Sequence, residues 1–461
     1  MSKELLYLRL PIHLQQLALD IEGRRVRRAR YGRAFRRALA EAEARSFDSR
    51  ESIERYRDER VAAFVRHAVE TVPFYRESSR RWSVKPEEVR GLADLAGLPL
   101  LTKTEVQDNY EALSSAAIPK ARRVVAHTSG TTGGGLRFAT TQEALIQQWA
   151  TWWRYRRWHG IGVETWCGYF GGRQVVPVAQ AEAPFWRRNS PMRQILFSAY
   201  HINDATLPLY IEELRRRRLP WIHGYPSIIA TVASHLIERK EELGYNLKWV
   251  TLGAENLLPQ QSRMIHQAFG VGPLQHYGQA EAIGNASECP QGRLHVDEDF
   301  SAFELVYDAT IDMHRIVGTN FSNPAAPLLR YDVGDYGTLD TLGCPCGRPG
   351  RILSELDGRL EDYVLLADGR KIGRMDHVFK DLVRIREAQI YQRMAGELII
   401  RVMPANDYAE ADEALLLREL RKRIGDEPIV RFEYPAALVR SSTGKLRFVV
   451  SELEAGRLNP K

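Results

Sequence analysis

Four cysteines, Cys167, Cys289, Cys344 and Cys346, are all the thiols this 461-residue chain has. So few over such a length exclude a small disulfide-scaffolded fold and leave free thiols, a metal site, or both. Long apolar runs are also lacking. No stretch reaches the roughly 18 residues a spanning helix needs, so no transmembrane segment is expected. The start, Met1-Ser2-Lys3-Glu4-Leu5, lacks the basic, apolar and cleavage regions of a secretory signal, and a cytoplasmic setting is the expectation. Internal repeats and low-complexity tracts are absent. Acidic residues are slightly short: 58 Asp+Glu face 65 Lys+Arg, a net charge of +7. The excess is clustered, with Arg24, Arg25, Arg27, Arg28, Arg30, Arg33, Arg36 and Arg37 in one segment and Arg215 to Arg218 in another. Glu41, Glu43, Glu212 and Glu213 stand nearby, and no nucleic-acid module is visible. Solvated helix faces are therefore expected rather than a nucleic-acid partner.

What remains is ordinary globular material, 44% hydrophobic and 27% charged. At roughly 100–200 residues per domain it makes two to four domains. Residues 1–70 read as largely helical, with Leu10, Leu14, Leu17, Ile21, Phe35 and Leu39 at near-helical spacing and Pro73-Phe74-Tyr75 as the close. Thr102 with Glu105 forms a capping-box pattern. Strand patterns at 124–126, 221–223, 249–252 and 303–307 alternate with helix patterns at 142–157, 206–218, 227–241 and 258–269, which argues for α/β layers. The last hundred residues change texture. A strand at 398–402, a helix at 410–424 and a strand at 429–432 make a small α+β unit behind Asp357-Gly358-Arg359-Leu360-Glu361-Asp362.

The most informative segment is Thr128-Ser129-Gly130-Thr131-Thr132-Gly133-Gly134-Gly135. Glycines allow backbone amides to approach a polyanion, and the hydroxyls add donors. A strand before it and a helix after it suit phosphate binding. The Gly-Lys-Ser/Thr ending of a P-loop is absent, as is a G-x-G-x-x-G dinucleotide fingerprint.

This loop resembles the nucleotide-phosphate loop of the adenylate-forming superfamily of acyl-CoA synthetases, and the family's other blocks follow in order. Tyr277-Gly278-Gln279-Ala280-Glu281 resembles its Tyr-Gly-x-x-Glu block, and Tyr331-Asp332-Val333-Gly334-Asp335 its Tyr-x-x-Gly-Asp block. Gly358 to Asp362 resembles its hinge, and Ser442-Thr443-Gly444-Lys445 its catalytic-lysine block. Pro73-Phe74-Tyr75, Gly224-Tyr225-Pro226-Ser227, Gly253-Ala254-Glu255, Ala326-Pro327-Leu328-Leu329-Arg330-Tyr331 and Cys346-Gly347-Arg348 are similar to the phenylacetate–CoA ligase branch and its relatives in capsular-polysaccharide clusters.

The resemblance implies an α/β fold. A large layered N-terminal domain, about 1–360 with a helical extension, would bind ATP and the acid. A small mobile α+β domain, about 361–461, would carry Lys445. The implied reaction activates a carboxylic acid, aromatic or apolar, as an acyl-adenylate, then transfers it to a thiol such as CoA. An amine or hydroxyl acceptor is the alternative, and a zinc-stabilised binding protein on a ligase scaffold is another. Thr128, Ser129, Gly130, Thr131, Thr132 and Gly133 would cradle phosphates, with Thr132 among the catalytic groups. Glu281 would hold Mg²⁺, Asp335 the ribose, and Gly253, Ala254 and Tyr277 the adenine, with Glu255 and Gly278 beside them. Arg359 would lie near the ribose or phosphate, Glu361 would be the hinge pivot, and Lys445 would bridge carboxylate and α-phosphate. A homodimer is compatible with the pattern.

Two positions depart from it. Gly134 and Gly135 stand where a lysine is frequent, leaving Arg137 as a substitute, and Ala280 stands where a hydroxyl residue is usual. Trp152, Trp153, Phe197, Tyr200, Trp221 and Tyr225 are candidates for the acid pocket, each with core packing as the plainer role.

The cysteines divide by position. Cys289, Cys344 and Cys346 with His295 make a Cys₃His set suited to structural Zn²⁺, with unrelated buried thiols as the alternative. Members of the resembled branch carry a similar constellation. Cys167 stands apart.

Overall fold

The computed structural model describes residues 3–127, 136–309, 312–340, 342–357, 364–372, 375, 378, 385–405, 408–440 and 446–453. The loop at 128–135, Arg359, Glu361 and Lys445 therefore lie outside the described residues. The chain forms two compact units, one of residues 1–23, 164–275 and 358–461, the other of 24–163 and 276–357.

In the first unit, short apolar strands alternate with helices. Gln194–Ser198, Cys167–Gly171, Trp221–Gly224, Trp249–Leu252 and the start of Pro273–Gly278 lie side by side in that order, all parallel. Trp186–Asn189 joins antiparallel at the edge. Parallel neighbours need crossover connections, and three of those in this unit carry helices. These are Leu207–Arg217, Pro226–Arg239 and Pro259–Phe269, each with Pro in the first turn, where a missing N–H costs nothing. Phe170, Phe197, Ile222, Val250 and Leu252 pack with Tyr210, Ile229 and Leu236 as the core. The same unit holds a four-stranded sheet in the order Ile429–Glu433, Glu397–Pro404, Ile385–Met394, Val449–Ser451. The helix Glu410–Ile424 packs on it through Leu416, Leu420 and Ile424.

The second unit is antiparallel. From residues 276–278 the order runs Asn285–Glu288, Leu294–Val296, Ile352–Asp357, Tyr331–Asp340, Met313–Thr319, Ala302–Asp308. The helices Arg33–Arg45, Arg50–Thr71 and Gln142–Trp158 belong to it. Val61, Phe64, Val65, Leu101, Phe138 and Leu328 are central to its core.

Most expected elements are present within a residue or two, and the fold is the mixed α/β type. The Thr102–Glu105 capping box is formed, opening the helix Lys103–Asp108. Two details differ. Pro73 opens a short helix, Pro73–Ser78, because proline is preorganised for the first turn. Phe35 and Leu39 are core residues, but Leu14, Leu17 and Ile21 are exposed on the helix Ile12–Arg30. Helical spacing alone does not say which stripe is covered. No described helix is long and apolar enough to cross a membrane.

Arginines in and beside both blocks form ion pairs. Arg216 and Arg217 bind Glu213, Arg215 binds Glu241, Arg37 binds Glu41 and Arg157 binds Glu43. Four other arginines do deeper work. Asp297, Glu298 and Asp299 are consecutive; the first two are buried, and the Asp299 side chain is 5% exposed. Arg154 binds Asp297 and Asp299, Arg45 binds Asp299, and Arg57 and Arg351 bind Glu298. Three helices are thereby tied to one acidic loop.

Candidate active site and metal centre

Two of the predicted blocks meet in the second unit. Tyr277 ends a strand and Asp335 lies within Tyr331–Asp340, yet the Tyr277 hydroxyl donates to Asp335 Oδ2 at 2.7 Å. Gln279 donates to the same hydroxyl through Nε2 and accepts the Gly284 N–H through Oε1 at 3.2 Å. The Gln279 carbonyl in turn accepts from Gln148 Nε2 at 2.8 Å. The turn that carries Glu281 is thus bonded on both flanks. Glu281 itself is only 7% exposed. Its carbonyl accepts from Asn320 Nδ2 at 3.2 Å, and Asn320 also accepts the Leu328 N–H at 2.8 Å.

Ala282, next to Glu281, has φ of +59°, and Ala254 and Arg330 have φ of +70° and +48°. Residues with a Cβ rarely adopt this region, and such strain concentrates where geometry serves a site. All three lie in or beside segments singled out from the sequence. Gly278 has a packing reason: a Cβ there would come within 2.5 Å of Asn285 Oδ1. That oxygen already accepts from Trp152 Nε1 at 2.9 Å. The Asn285 amide donates to Asp297, linking this strand pair to the Arg154 clamp.

Two of the branch motifs, Pro73–Tyr75 and Ala326–Tyr331, also meet within this unit. The buried Tyr75 hydroxyl donates to the Pro327 carbonyl at 3.1 Å and accepts the Leu329 N–H at 3.0 Å. Arg330 binds Glu304 and donates to the carbonyls of Leu98 and Ala96. These contacts brace the strand that leads into Asp335.

Gly253, Ala254 and Glu255 belong to the first unit and follow the parallel strand Trp249–Leu252. The carboxyl-terminal edge of such a sheet is the usual place for a ligand. The Gly253 N–H donates to the Gly224 carbonyl at 3.3 Å. Glu255 accepts the Ser227 N–H at 3.1 Å and the Leu446 N–H at 3.0 Å. Burial pushes its carboxyl above the ordinary value, against these donors and Arg440.

The expected Cys₃His set is assembled. The ligating atoms of Cys289, His295, Cys344 and Cys346 all lie within 4.8 Å of one another. Cys289 Sγ and Cys344 Sγ are 3.7 Å apart, and Cys346 Sγ and His295 Nε2 are 3.3 Å apart. Around a tetrahedral zinc with bonds of ~2.0–2.3 Å, ligand atoms stand about 3.5–3.8 Å apart, so the donor set fits zinc in chemistry and scale. His295 Nδ1 lies 3.2 Å from the Pro349 carbonyl. A proton on Nδ1 donated there leaves Nε2 as a lone pair toward the thiols. Burial lowers the His295 pKa and favours the neutral, ligating form. Each cysteine turn is closed by a glycine: Gly292 N–H donates to Cys289 O and Gly347 N–H to Cys344 O, at φ of +71° and +70°. Cys167 is buried in the first unit, apart from this set.

The aromatic candidates for the acid pocket separate. Phe197 stacks on Phe170 at 4.4 Å within the core, and Trp221 is buried and donates to Thr251 Oγ1 at 2.8 Å. Trp153 donates to the Tyr31 hydroxyl and Trp152 to Asn285. Tyr200 and Tyr225 follow parallel strands and are partly covered, Tyr200 donating to the Gly172 carbonyl at 2.8 Å. Arg137, the candidate substitute for the missing lysine, lies over the Tyr110 ring at 4.2 Å. Sequence reasoning missed Gln279, Asn320 and the Asp297–Asp299 clamp. Gln279 lay in plain view as a spacer, whereas the partners of the other two are far off in the chain.

Comparison with known proteins agrees with this arrangement. Residues 364–452 match the family model described as the CapK C-terminal domain. The chain is 23% identical over 455 residues to the protein CapK of Staphylococcus aureus, covering 96% of this chain and 98% of that one. It is 26% identical over 461 residues to a phenylacetate-coenzyme A ligase of Thermus thermophilus, covering 87% and 97%. Among solved structures, 2-hydroxyisobutyryl-CoA ligase in complex with 2-HIB-AMP superposes with a TM-score of 0.68 at 18% identity, over 90% of this chain and 92% of that one. The homologues of this chain thus include CapK and phenylacetate-coenzyme A ligases, and its fold is that of the adenylate-forming CoA ligases.

Proposed function

We propose that this protein activates a carboxylic acid with ATP and passes the acyl group to a thiol, CoA being the expected acceptor. In the first step a carboxylate oxygen attacks the α-phosphorus, the bond to the bridging oxygen breaks, and pyrophosphate leaves. In the second the thiol sulfur attacks the acyl carbon, AMP leaves, and the thiol proton passes to solvent. The observation that carries the reading is the Tyr277–Asp335 hydrogen bond, which joins two blocks of the family pattern beside the braced Glu281 turn. The relatives named phenylacetate-coenzyme A ligases support the same chemistry.

In this reading Asp335 accepts from a ribose hydroxyl and Tyr277 lies beside the adenine, whereas Gly253 and Ala254 are assigned to the adenine from their motif alone. Gly278 keeps the Tyr277 strand close to Asn285. Glu281 offers hard carboxylate oxygens of the kind Mg²⁺ takes together with phosphates. When bound, Mg²⁺ offsets charge as one anion approaches another. Residues 128–133, Arg359 and Lys445 are assigned to the phosphates, the ribose side and the α-phosphate from their motifs alone. Glu361 is assigned as pivot of the 361–461 domain in the same way. Cys289, His295, Cys344 and Cys346 would hold zinc in a structural role, since all four donors are protein groups.

The test is ATP–pyrophosphate exchange across a panel of aromatic and aliphatic acids. Exchange that depends on one acid, lowered about 100-fold or more by Glu281→Gln, is the expected result. No exchange with any acid, together with no ATP binding, refutes the proposal. Exchange without CoA-dependent AMP release would move the acceptor to an amine or hydroxyl.

A further inference from the structure

Residues 441–445 end in Lys445, and the residues on either side of them are held in an unusual way. Arg440 and Leu446 form an antiparallel bridge, which brings the two flanks of this segment together. Both then bond to the loop and helix that follow two parallel strands of the same unit. The Leu446 N–H donates to Glu255 Oε1 at 3.0 Å. The Arg440 guanidinium donates to Ser227 Oγ at 3.2 Å and to Glu387, which also accepts from Thr231 Oγ1 at 3.3 Å. Ser227 and Glu255 are themselves joined, because Glu255 Oε2 accepts the Ser227 N–H at 3.1 Å. Ser227 lies in the first turn of the helix Pro226–Arg239, where N–H groups have no partner within the helix. Both oxygens of Glu255 thus accept main-chain N–H groups, one from that helix and one from the residue after Lys445.

We infer that Glu255 and Ser227 hold Arg440 and Leu446, the residues flanking 441–445, for adenylation, so that Glu255 is a positioning residue for Lys445. The inference rests on the proposed role of Lys445 in forming the adenylate. It gives a reason for the backbone at Ala254, whose φ of +70° sets the direction of the next side chain. It also connects two segments of the motif pattern. Gly253 and Ala254, proposed beside the adenine, run directly into the residue that holds Leu446. A carboxylate suits this task because each of its two oxygens accepts one of the N–H groups, where an amide in the same pose would turn its NH₂ toward one of them.

Two measurements test this. The first separates the half-reactions: pyrophosphate exchange, and consumption of a supplied acyl-adenylate with CoA. Glu255→Ala should lower exchange about tenfold or more and adenylate consumption by a clearly smaller factor, and Glu255→Gln should fall between wild type and Glu255→Ala, having lost one acceptor. The second needs no substrate. Tryptic cleavage after Lys445, read as a new N-terminus at Leu446, should be several-fold faster in Glu255→Ala at an unchanged melting temperature. Unchanged exchange, an equal fall in both half-reactions, or an unchanged cleavage rate would overturn the inference. Wild-type protein that fails to exchange with every acid would refute acid activation instead. The cleavage rate would then still decide whether Glu255 holds Leu446.

Discussion

Replacing Arg154 with alanine should be among the most destabilising single changes in the second unit. The magnitude follows from its surroundings. The side chains of Arg154, Asp297 and Asp299 are 4%, 2% and 5% exposed, so solvent does not screen the set. The guanidinium donates to Asp297 Oδ1 at 2.6 Å, to both Asp299 oxygens at 2.8 and 2.9 Å, and to the Ala42 carbonyl at 3.1 Å. Removing one partner of a buried pair costs about 3–5 kcal/mol, mainly because the other charge stays behind. Asp299 keeps Arg45, and Asp297 keeps donors from Asn285 and Ser287, so the lower end, about 3 kcal/mol, is expected. For a unit of this size that is a fall of roughly 10 °C in melting temperature. The pH dependence is more discriminating. Burial pushes the Asp297 carboxyl above its ordinary value even beside Arg154, and Asp299 adds to the push. Without Arg154 the rise is larger, so the ionised form is penalised at neutral pH and the penalty fades as pH falls and the group protonates. Asp299 is the opposite case. Burial raises it, but Arg154 and Arg45 outweigh burial and hold it below its ordinary 3.8. Its contribution is present above that value and is lost as pH falls through the lowered pKa. Urea unfolding followed by tryptophan fluorescence should therefore show the Arg154→Ala deficit shrinking from pH 8 to pH 5. Arg154→Met combined with Asp297→Asn and Asp299→Asn should recover much of the loss. A deficit under about 1 kcal/mol, or one independent of pH across that range, would refute the reasoning.

Protein purified without added zinc should contain about one equivalent, and Cys344→Ser should lose it and melt several degrees lower; substoichiometric zinc with an unchanged melting temperature would remove the metal assignment. Tyr277→Phe deletes a donor to a carboxylate, so about 1–2 kcal/mol of stability and a roughly tenfold rise in KM for ATP are expected, by thermal melting and initial rates. If KM stays unchanged, Asp335 needs no help from Tyr277. Gly278→Ala should be worse than a surface Gly→Ala change, because its Cβ would collide with Asn285 Oδ1, and Asn285→Ala in the same chain should relieve part of the loss.

What was legible in the sequence was what local chemistry dictates. Strand 249–252 and helix 410–424 announced themselves because their patterning needs no distant partner. The cysteine set was legible for a different reason. The family resemblance joined a C-x-C pair to a distant Cys with a nearby His, and each lies in a short turn closed by its own glycine. Burial was not legible. Leu14, Leu17 and Ile21 are as apolar and as well spaced as Phe35 and Leu39, but only the latter are covered. The arginines show the same limit. By composition Arg45, Arg57, Arg154 and Arg351 were part of a basic excess, yet they are the counter-ions of three adjacent acids. Pairing across hundreds of residues depends on topology, and topology is what a local pattern leaves out. Glu255 sits between these cases. Its motif marked it as worth noticing, but its contact with Leu446 belongs to no pattern within either segment. The residues a motif names can therefore be read early, and the residues that hold them in place must be read from the fold.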